Sequence, residues 1–260
     1  MRAPRTLTSL DEADSGDHVC QMLDPADDVI DRSRAFVADG ALHGDKVVIV
    51  GPVPRTESGF PRVVLDPARL RGSLLAAVRR EAATAGRQGF RSLRVLHHVG
   101  PGCCPEQAEE LLRSELDLEE FAADTGALVV CAYHGPDWDL PTLQRIGCVH
   151  PHWLGSRPVS PAFRVFRAGK ESWAVNGIVD SDGAAAFGAV VCALLAQAAT
   201  VRLLCHTLEF FDAAGMSALA DAVRLLPDRK IVLEGGNDTV RLCWELSGFA
   251  GPDVPVVMAP

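Results

Sequence analysis

The chain has 260 residues, a formal net charge of −9 and 48% hydrophobic residues. This length and composition predict one large or two ordinary globular domains and exclude a chain that is disordered throughout. Neither residues 1–160 nor residues 161–260 carry a net positive charge, which argues against binding to nucleic acid or to anionic membranes.

The N-terminal segment and the cysteines indicate a compartment. Residues 1–15 are polar and acidic, and we expect them to be mobile. They lack the apolar region of a signal peptide, and no apolar run approaches the roughly 20 residues that a membrane helix needs. We therefore expect a cytoplasmic protein without membrane association, whose eight cysteines are reduced thiols.

Residues 16–155 alternate between helix and strand patterns, which predicts a mostly parallel sheet covered on both faces. Asp24 followed by proline is typical of a helix start, and Gly40 of the end of that helix. Asp66 followed by proline repeats the start signal for a helix that continues to about Gly86. The other predicted elements are strands at Lys46–Val50, Leu93–Val99 and Ala127–Tyr133 and helices at Pro105–Asp124 and Leu140–Ile146.

The first of these predicted strands does not lead into a phosphate-binding loop. Residues 51–60 contain two prolines, which lack the N–H donors that a phosphate cradle needs, and no Gly-Lys-Ser/Thr follows. ATP hydrolysis is therefore not expected. Arg55 is a candidate anion ligand, although a solvated loop arginine is the commoner case.

A change of pattern near residue 156 predicts a second domain. Residues 156–161 contain two prolines and two serines and are typical of a linker. The domain that follows, residues 162–260, begins with a predicted hairpin of Phe163–Phe166 and Ser172–Ile178. Its other predicted elements are a helix over Asp182–Ala198, a strand over Val201–Cys205, a helix over Ala213–Leu225, a strand over Lys230–Leu233 and a helix over Asp238–Ser247.

Residues 210–216, Phe-Phe-Asp-Ala-Ala-Gly-Met, follow a predicted strand and include the first residues of a predicted helix. They resemble the Asp-Ser-Ser-Gly turn of STAS domains, the fold of bacterial anti-sigma factor antagonists. Residues 176–180, 234–237 and 246–249 are similar to further marks of that family in the same order. The resemblance covers nearly all of 162–260 and implies a STAS-type mixed sheet with helices on one side.

The STAS resemblance implies a partner-binding surface at Asp212, Ala213, Ala214, Gly215 and Met216. The partner that it implies is an anti-sigma factor with a kinase-like fold, or a related regulator. In the family, phosphorylation of a serine in this turn breaks the complex. Alanine stands at both serine positions, so we expect no phosphorylation there. From residue chemistry alone, Asp212 is as readily a simple helix cap.

Several short motifs recur in order through the N-terminal half. They resemble the MEDS domain, the sensory domain named for methanogen, methylotroph and DcmR regulators. The resemblance spans residues 16–155 and implies a degenerate RecA-like sheet. The residues that carry it are His18-Val19-Cys20, Gly44–Val48, Glu119–Phe121, Val130–Tyr133 and His150-Pro151.

The MEDS resemblance makes His18, Cys20, Cys131, Tyr133 and His150 candidate ligand-binding residues for a small-molecule effector. Tyr133 also lies at the carboxyl end of a predicted parallel strand, where open α/β sheets bind ligands. Two structural alternatives stay open. The histidines and the tyrosine are equally compatible with structural hydrogen bonds, and the cysteines with core packing.

The Cys and His residues form no recognised metal-binding motif. Cys148-x-His150-x-His152 is the nearest arrangement to a ligand cluster, but its spacing matches no zinc site. We therefore predict no metal and no cofactor. Acidic pairs such as Glu119-Glu120 are typical of solvated helix faces. Because motifs for catalysis are also absent, we expect no enzymatic activity.

Together these features predict a non-catalytic, two-domain bacterial signalling regulator that acts in transcription regulation. The sensory domain would receive a signal, and the STAS-like domain would bind a regulatory partner. Self-association as a homo-oligomer is left open. Two alternative functions also stay open: a metal, haem or redox sensor that uses the N-terminal Cys and His residues, and a scaffold subunit of a larger signalling assembly.

Overall fold

The computed structural model describes residues 3–51, 62–101, 105–155 and 160–259, with only the backbone of Pro105 and Glu106. Most of the region examined for a phosphate loop, including Arg55, and most of the predicted linker 156–161 lie outside the described residues. The described residues form two β-sheets with flanking helices. The predicted α/β architecture is confirmed.

The first sheet is the predicted parallel sheet. Its strands are β1 (Arg5–Leu7), β2 (His18–Leu23), β3 (Lys46–Val50), β4 (Arg62–Leu65), β5 (Leu93–His98), β6 (Leu128–His134) and β7 (His152–Leu154). Their order across the sheet is β1-β7-β2-β6-β5-β3-β4, and neighbouring strands are parallel. Strand β1 and a 3-10 turn at Leu10–Glu12 lie within the segment 1–15 that the sequence predicts to be mobile.

Helices cover both faces of this sheet. They are α1 (Val29–Arg32), α2 (Arg34–His43), α3 (Leu74–Arg87), α4 (Pro105–Thr125) and α5 (Leu140–Gly147). One apolar cluster joins α2 to one face through Phe36, and another joins α3, α4 and α5 to the opposite face through Val78, Phe121 and Ile146. Successive residues of β2 enter the two clusters in turn because side chains alternate along a strand.

The first helices differ from the prediction at both ends. Asp28, not Asp24, caps α1, because its carboxylate accepts from the N–H groups of Ile30 and Asp31. Asp24 instead begins a turn, in which its carbonyl accepts from the Asp27 N–H. Helix α2 continues through Gly40 and ends at His43, where the next residue, Gly44, has a left-handed conformation. Gly40 is instead a packing residue, because a Cβ there would collide with Val47 of β3.

The start of α3 also differs from the prediction. The Asp66 side chain caps only a 3-10 turn, Pro67–Arg69, by accepting from the Ala68 N–H. The chain then passes through Gly72, whose φ is +89°, a conformation that favours glycine and interrupts a helix. Ser73 caps the helix that follows.

The second sheet is mixed, as predicted. Its strands are β8 (Phe163–Gly169), β9 (Ser172–Val179), β10 (Thr200–Phe211), β11 (Lys230–Glu234) and β12 (Val256–Met258). Their order is β12-β11-β10-β9-β8, in which the β8–β9 hairpin is antiparallel and the other pairs are parallel.

Three helices accompany this sheet: α6 (Ala184–Gln197), α7 (Ala213–Arg224) and α8 (Asp238–Leu246). Val201, Leu203 and Cys205 of β10 are buried in a core with these helices. Arg202 and His206, which alternate with them, are exposed. The helices therefore cover one face of the sheet, as predicted.

The two sheets are joined by a common core. Leu112 and Leu116 of α4, with Cys148 and Val149 after α5, belong to the same apolar cluster as the core of the second sheet. Helices α4 and α5 both contact α6. None of the helices in the described part of the chain is both long and apolar enough to cross a membrane.

Candidate functional site: a buried polar cluster around Glu115

Strands β2 and β6 bring polar side chains to one face of the first sheet. In their parallel register Cys20 pairs with Cys131, and Met22 with Tyr133. This face is the one that α4 covers. His150 follows α5, and its Nδ1 donates to the Ile146 carbonyl at 2.7 Å. The fold thereby directs residues from two strands and a loop toward α4.

Glu115 of α4 is the centre of this group and has no solvent exposure. Its Oε1 accepts a hydrogen bond of 2.6 Å from the Tyr133 hydroxyl. Its Oε2 lies 3.2 Å from His18 Nε2 and 3.2 Å from His150 Nε2. A buried carboxylate needs such partners, because an isolated buried charge is costly.

Four residues make up what we call the Glu115 cluster: His18, Glu115, Cys131 and His150. One side-chain N, O or S atom from each lies within 4.8 Å of all the others. His18 Nε2 is 3.4 Å from Cys131 Sγ, and the two imidazole rings have centroids 4.0 Å apart. All four residues are buried.

A second layer surrounds the Glu115 cluster. Glu119, one helical turn after Glu115, places Oε2 3.4 Å from His18 Nδ1. On the other side, His97 of β5 has Nδ1 3.9 Å from Cys131 Sγ. The cluster is therefore enclosed by α4, by three neighbouring strands and by the loop after α5.

The electrostatics of the cluster favour the protonated, positively charged form of His18. Burial alone would lower the pKa of His18, but hydrogen bonding to Glu115 and Glu119 outweighs it and raises the pKa to about 9. For Glu115, burial would raise the pKa, but the partners His150 and His18 hold it well below its usual value. At neutral pH the two residues form an imidazolium–carboxylate pair.

The other members are neutral. Burial lowers the pKa of His150, and the neighbouring positive His18 adds to the effect. Burial raises the pKa of Cys131 and that of Tyr133 well above their ordinary values, and the charge of Glu115 adds to both. The ion pair of His18 and Glu115 is thus embedded among uncharged polar groups.

The structure brings together four of the five residues that the MEDS resemblance selected and places the fifth, Cys20, next to them. His18, Cys131 and His150 belong to the Glu115 cluster, and Tyr133 hydrogen-bonds to Glu115. Cys20 lies beside Cys131 in the strand register but is not among the four clustered residues. Burial raises its pKa well above the ordinary thiol value.

The spacing Cys148-x-His150-x-His152 does not form a site. Cys148 belongs to the apolar core and its sulfur donates to the Arg145 carbonyl at 3.1 Å. His152 Nε2 lies 3.2 Å from the carboxylate of Asp17. Only His150 of the three reaches the Glu115 cluster.

The sequence did not identify Glu115 as a site residue, and it led to a wrong prediction for Glu119. The prediction that Glu119-Glu120 lies on a solvated helix face is wrong for Glu119, which is 3% exposed. Leu112, Glu115, Glu119 and Ala122 follow one another at spacings of three or four residues, so they share one helix face. Two glutamates on an otherwise apolar helix face are a signal that could have been read from the sequence.

In the second domain, the turn at residues 212–216 has the local geometry that its sequence predicts. Asp212 caps α7 by accepting from the Gly215 N–H at 2.9 Å. A Cβ on Gly215 would lie 2.6 Å from the Phe211 ring, so the glycine allows close packing of α7. Gly215 and Met216 are buried, whereas Ala213 is exposed and Asp212 and Ala214 are half-buried.

An apolar cleft of about 500 Å³ lies beside this turn, between the end of β10 and helices α7 and α8. Phe210, at its edge, is 54% exposed. Leu246, which also lines the cleft, is exposed as well, and contiguous exposed apolar patches often mark interaction surfaces. Residues lining the cleft include Leu208, Phe210, Ala213, Asn237, Cys243 and Leu246.

The comparison with known protein families matches the half of the chain that contains the Glu115 cluster. Residues 17–151 match the sequence model of MEDS, the MEthanogen/methylotroph, DcmR Sensory domain. The chain belongs to the MEDS family. A search of the curated proteins found no match to the chain. The MEDS match stops at residue 151, and the STAS resemblance of residues 162–260 stays a prediction.

Proposed function

We propose that this MEDS protein is a non-catalytic signalling regulator. The Glu115 cluster receives the signal, and the turn at Asp212–Ala214 of the second domain delivers it to a protein partner. Family membership supports a sensory role for residues 17–151. In this proposal the signal enters at the Glu115 cluster and reaches the second domain through α4.

The contacts of Glu119 are the observation that carries this proposal. Its Oε2 lies 3.4 Å from His18 Nδ1 of the Glu115 cluster. Its Oε1 accepts a hydrogen bond of 3.0 Å from the backbone N–H of Arg167 in β8. One carboxylate thus touches both the cluster and the first strand of the second sheet.

Helix α4 provides a second connection. It carries Glu115 and Glu119, and its Leu112 and Leu116 belong to the core of the second domain. A ligand that binds one position of α4 more tightly than another would therefore change the packing of both domains. A differential affinity of about 1–3 kcal/mol would be enough for a switch.

The output is proposed at the Asp212 turn, on the strength of its resemblance to STAS domains. The partner would be an anti-sigma factor with a kinase-like fold, or a related regulator. Ala213 and Ala214 have no hydroxyl, so phosphorylation cannot control this turn. Control through the N-terminal domain would replace it. Since Gly215 and Met216 are buried, the partner would contact Asp212, Ala213 and Ala214.

Affinity capture from the lysate of the native host tests the output. The parent chain and an Ala214→Asp variant are used as bait, with Ala199→Asp as the matched control at an exposed site before β10. We expect an anti-sigma factor with a kinase-like fold to be captured by the parent and the control only. Capture of no such regulator, or equal capture by all three, contradicts the proposed output.

The connection through Glu119 is tested with the captured partner. Glu119→Gln keeps the side-chain volume but removes the charge that faces His18. Glu110→Gln makes the same change at an exposed position of α4. We expect the partner's dissociation constant to change at least fivefold in Glu119→Gln and to stay within twofold in Glu110→Gln. Equal constants would show that the signal does not pass through Glu119.

The Glu115 cluster also favours a second candidate function, a metal sensor. Two imidazoles, a carboxylate and a thiol meet in one buried place, which the sequence spacing did not predict. The sensory role and partner binding do not depend on which ligand the cluster takes.

A further inference from the structure

We propose that the Glu115 cluster is a metal site that binds one divalent first-row transition ion, with Zn²⁺ as the favoured ion. The four ligand atoms are His18 Nε2, Glu115 Oε2, Cys131 Sγ and His150 Nε2. The inference rests on the proposed function in one respect, since it names the ligand of the proposed sensing site.

The distances between the ligand atoms suit a tetrahedral ion. Zn–N and Zn–O bonds of about 2.0–2.2 Å and a Zn–S bond of about 2.3 Å place neighbouring ligand atoms roughly 3.3–3.6 Å apart in a tetrahedron. The contacts of Glu115 Oε2 with the two Nε2 atoms are 3.2 Å each. The contact of His18 Nε2 with Cys131 Sγ is 3.4 Å. The other three pairs of ligand atoms lie within 4.8 Å, so these side chains would have to move closer together around the ion.

Both histidines are oriented as metal ligands are. The Nδ1 of His150 donates to the Ile146 carbonyl at 2.7 Å, which fixes the hydrogen on Nδ1 and leaves the Nε2 lone pair toward the cluster. The Nδ1 of His18 faces the Glu119 carboxylate at 3.4 Å. An oxygen acceptor on the outer ring nitrogen is the usual second layer of a histidine–metal site.

Buried atoms in the cluster have unused ligand capacity. His150 Nε2 is buried and, within the described residues, makes no hydrogen bond. Because the hydrogen of this ring is on Nδ1, the Nε2 lone pair faces Glu115 Oε2, another acceptor, at 3.2 Å. Such an arrangement of buried polar atoms calls for an explanation, and a metal ion placed between them would bind both.

The charge of the site also fits a divalent ion. With Cys131 as thiolate and Glu115 as carboxylate, two negative ligands neutralise the 2+ charge, so the ion and its four ligands together carry no net charge. Mixed nitrogen, oxygen and sulfur ligands suit Zn²⁺, a borderline-soft ion, and exclude Mg²⁺ and Ca²⁺, which prefer oxygen. Four protein ligands leave no coordination position for a catalytic water, which agrees with a sensory role.

Two measurements on the full chain test the site. The first is the zinc content and Zn²⁺ affinity of the purified protein. We expect one zinc per chain. The second is the absorption spectrum after replacement by Co²⁺, in which we expect the strong bands of tetrahedral Co²⁺ and a thiolate-to-cobalt charge-transfer band. The spectrum uses the unaltered chain, so it does not depend on the folding of any variant.

Matched variants assign the ligands. Cys131→Ser should lose the charge-transfer band and weaken Zn²⁺ binding at least tenfold. Cys148→Ser is the control, because this buried cysteine bonds to Arg145 instead, and it should keep both properties. Glu119→Gln, in the second layer, should weaken binding about 10- to 100-fold while the band remains.

Three results would overturn the site: substoichiometric zinc with no saturable Zn²⁺ binding, Co²⁺ spectra without the thiolate band, or equal losses in Cys131→Ser and Cys148→Ser. Partner capture is a separate readout. Loss of metal binding with intact capture would refute the metal site alone, and bound metal without capture would refute the proposed output alone.

Discussion

At the scale of single residues, the N-terminal domain depends on buried polar groups that have defined partners. Glu115 is a carboxylate without solvent exposure, and it is tolerated because Tyr133 and two histidines face it. Removing one partner of such a group costs more than the hydrogen bond itself, since the other partner stays buried and unpaired. Tyr133→Phe and Asp45→Asn should both show this asymmetry.

Tyr133→Phe should destabilise the protein by about 1–3 kcal/mol, because Glu115 Oε1 would lose its 2.6 Å hydrogen bond in a buried site. The phenyl ring keeps the packing of the parent. The measurement is the free energy of unfolding in urea at pH 7. Thr207→Val, which removes a hydroxyl bonded to the Val175 carbonyl at an exposed position, is the control and should stay within about 0.5 kcal/mol of the parent.

Asp45→Asn should lower stability in a pH-dependent way. Burial would raise the pKa of Asp45, but hydrogen bonds and charge from Arg91 and Arg94 outweigh it, so the net shift is downward. A carboxylate with a lowered folded-state pKa stabilises the protein above its unfolded pKa, and this contribution disappears as the pH falls through the folded value. The stability difference between parent and variant is therefore expected near neutral pH and not in acid.

The test of Asp45 is a series of urea unfolding curves from pH 7 to pH 3. We expect a difference of about 1–3 kcal/mol at pH 7 that holds to about pH 5 and narrows as the pH falls past the usual aspartate pKa of 3.8. Asp31→Asn removes an exposed ion pair with Arg34 and should cost less than about 1 kcal/mol. A gap for Asp45→Asn that does not narrow between pH 5 and pH 3 would mean that the charge is not its source.

At the scale of elements, the sequence predicts those whose local signals agree with their packing. Helix α4, the strand at Lys46–Val50 and the helix that begins at Asp238 match the structure closely. Short strands at edges, such as β1, β4 and β12, were not predicted, because three or four residues carry too little periodicity. Strand β10 extends to Phe211, beyond the predicted Cys205, because register shifts let it continue past its apolar run.

The effect of replacing a glycine inside a helix depends on what the new Cβ would contact in the tertiary structure. Gly215→Ala in α7 should destabilise the protein by about 1–3 kcal/mol, because the new Cβ would meet the Phe211 ring at 2.6 Å and Val179 at 2.8 Å. Gly188→Ala in α6 should instead stabilise it by about 0.5–1 kcal/mol, since its nearest new contact is an ordinary 3.5 Å. Thermal or urea unfolding of both variants gives the two signs, and equal signs would contradict the packing argument.

At the scale of the whole molecule, the candidate site could be predicted only in part. A resemblance selected His18, Cys131, Tyr133 and His150, but their common centre, Glu115, lies on a different element, at least 16 residues from each of them in sequence. Spacing rules detect ligands that are close along the chain, whereas this cluster is assembled by two neighbouring strands, a helix and a loop. The same helix carries Leu116 into the core of the second domain, so the site and the joint between domains share one element.

This shared element predicts that the two sheets unfold together. Leu116 has no solvent exposure and packs in the core of the second domain. Leu116→Ala should therefore lower the free energy of unfolding by about 2–5 kcal/mol and lower the urea midpoint of both domains by the same amount. Leu242→Ala, at an exposed position of α8, is the control and should change it by less than about 0.5 kcal/mol.

Fluorine NMR of fluorotryptophan-labelled protein can follow the two domains separately. Trp153 is buried in the first sheet and Trp244 in the core of the second. If one core joins them, the folded signals of both residues disappear at the same urea concentration in the parent and in Leu116→Ala. Transitions that separate in the parent would show that the sheets unfold independently, and would remove the mechanical basis for a signal that passes along α4.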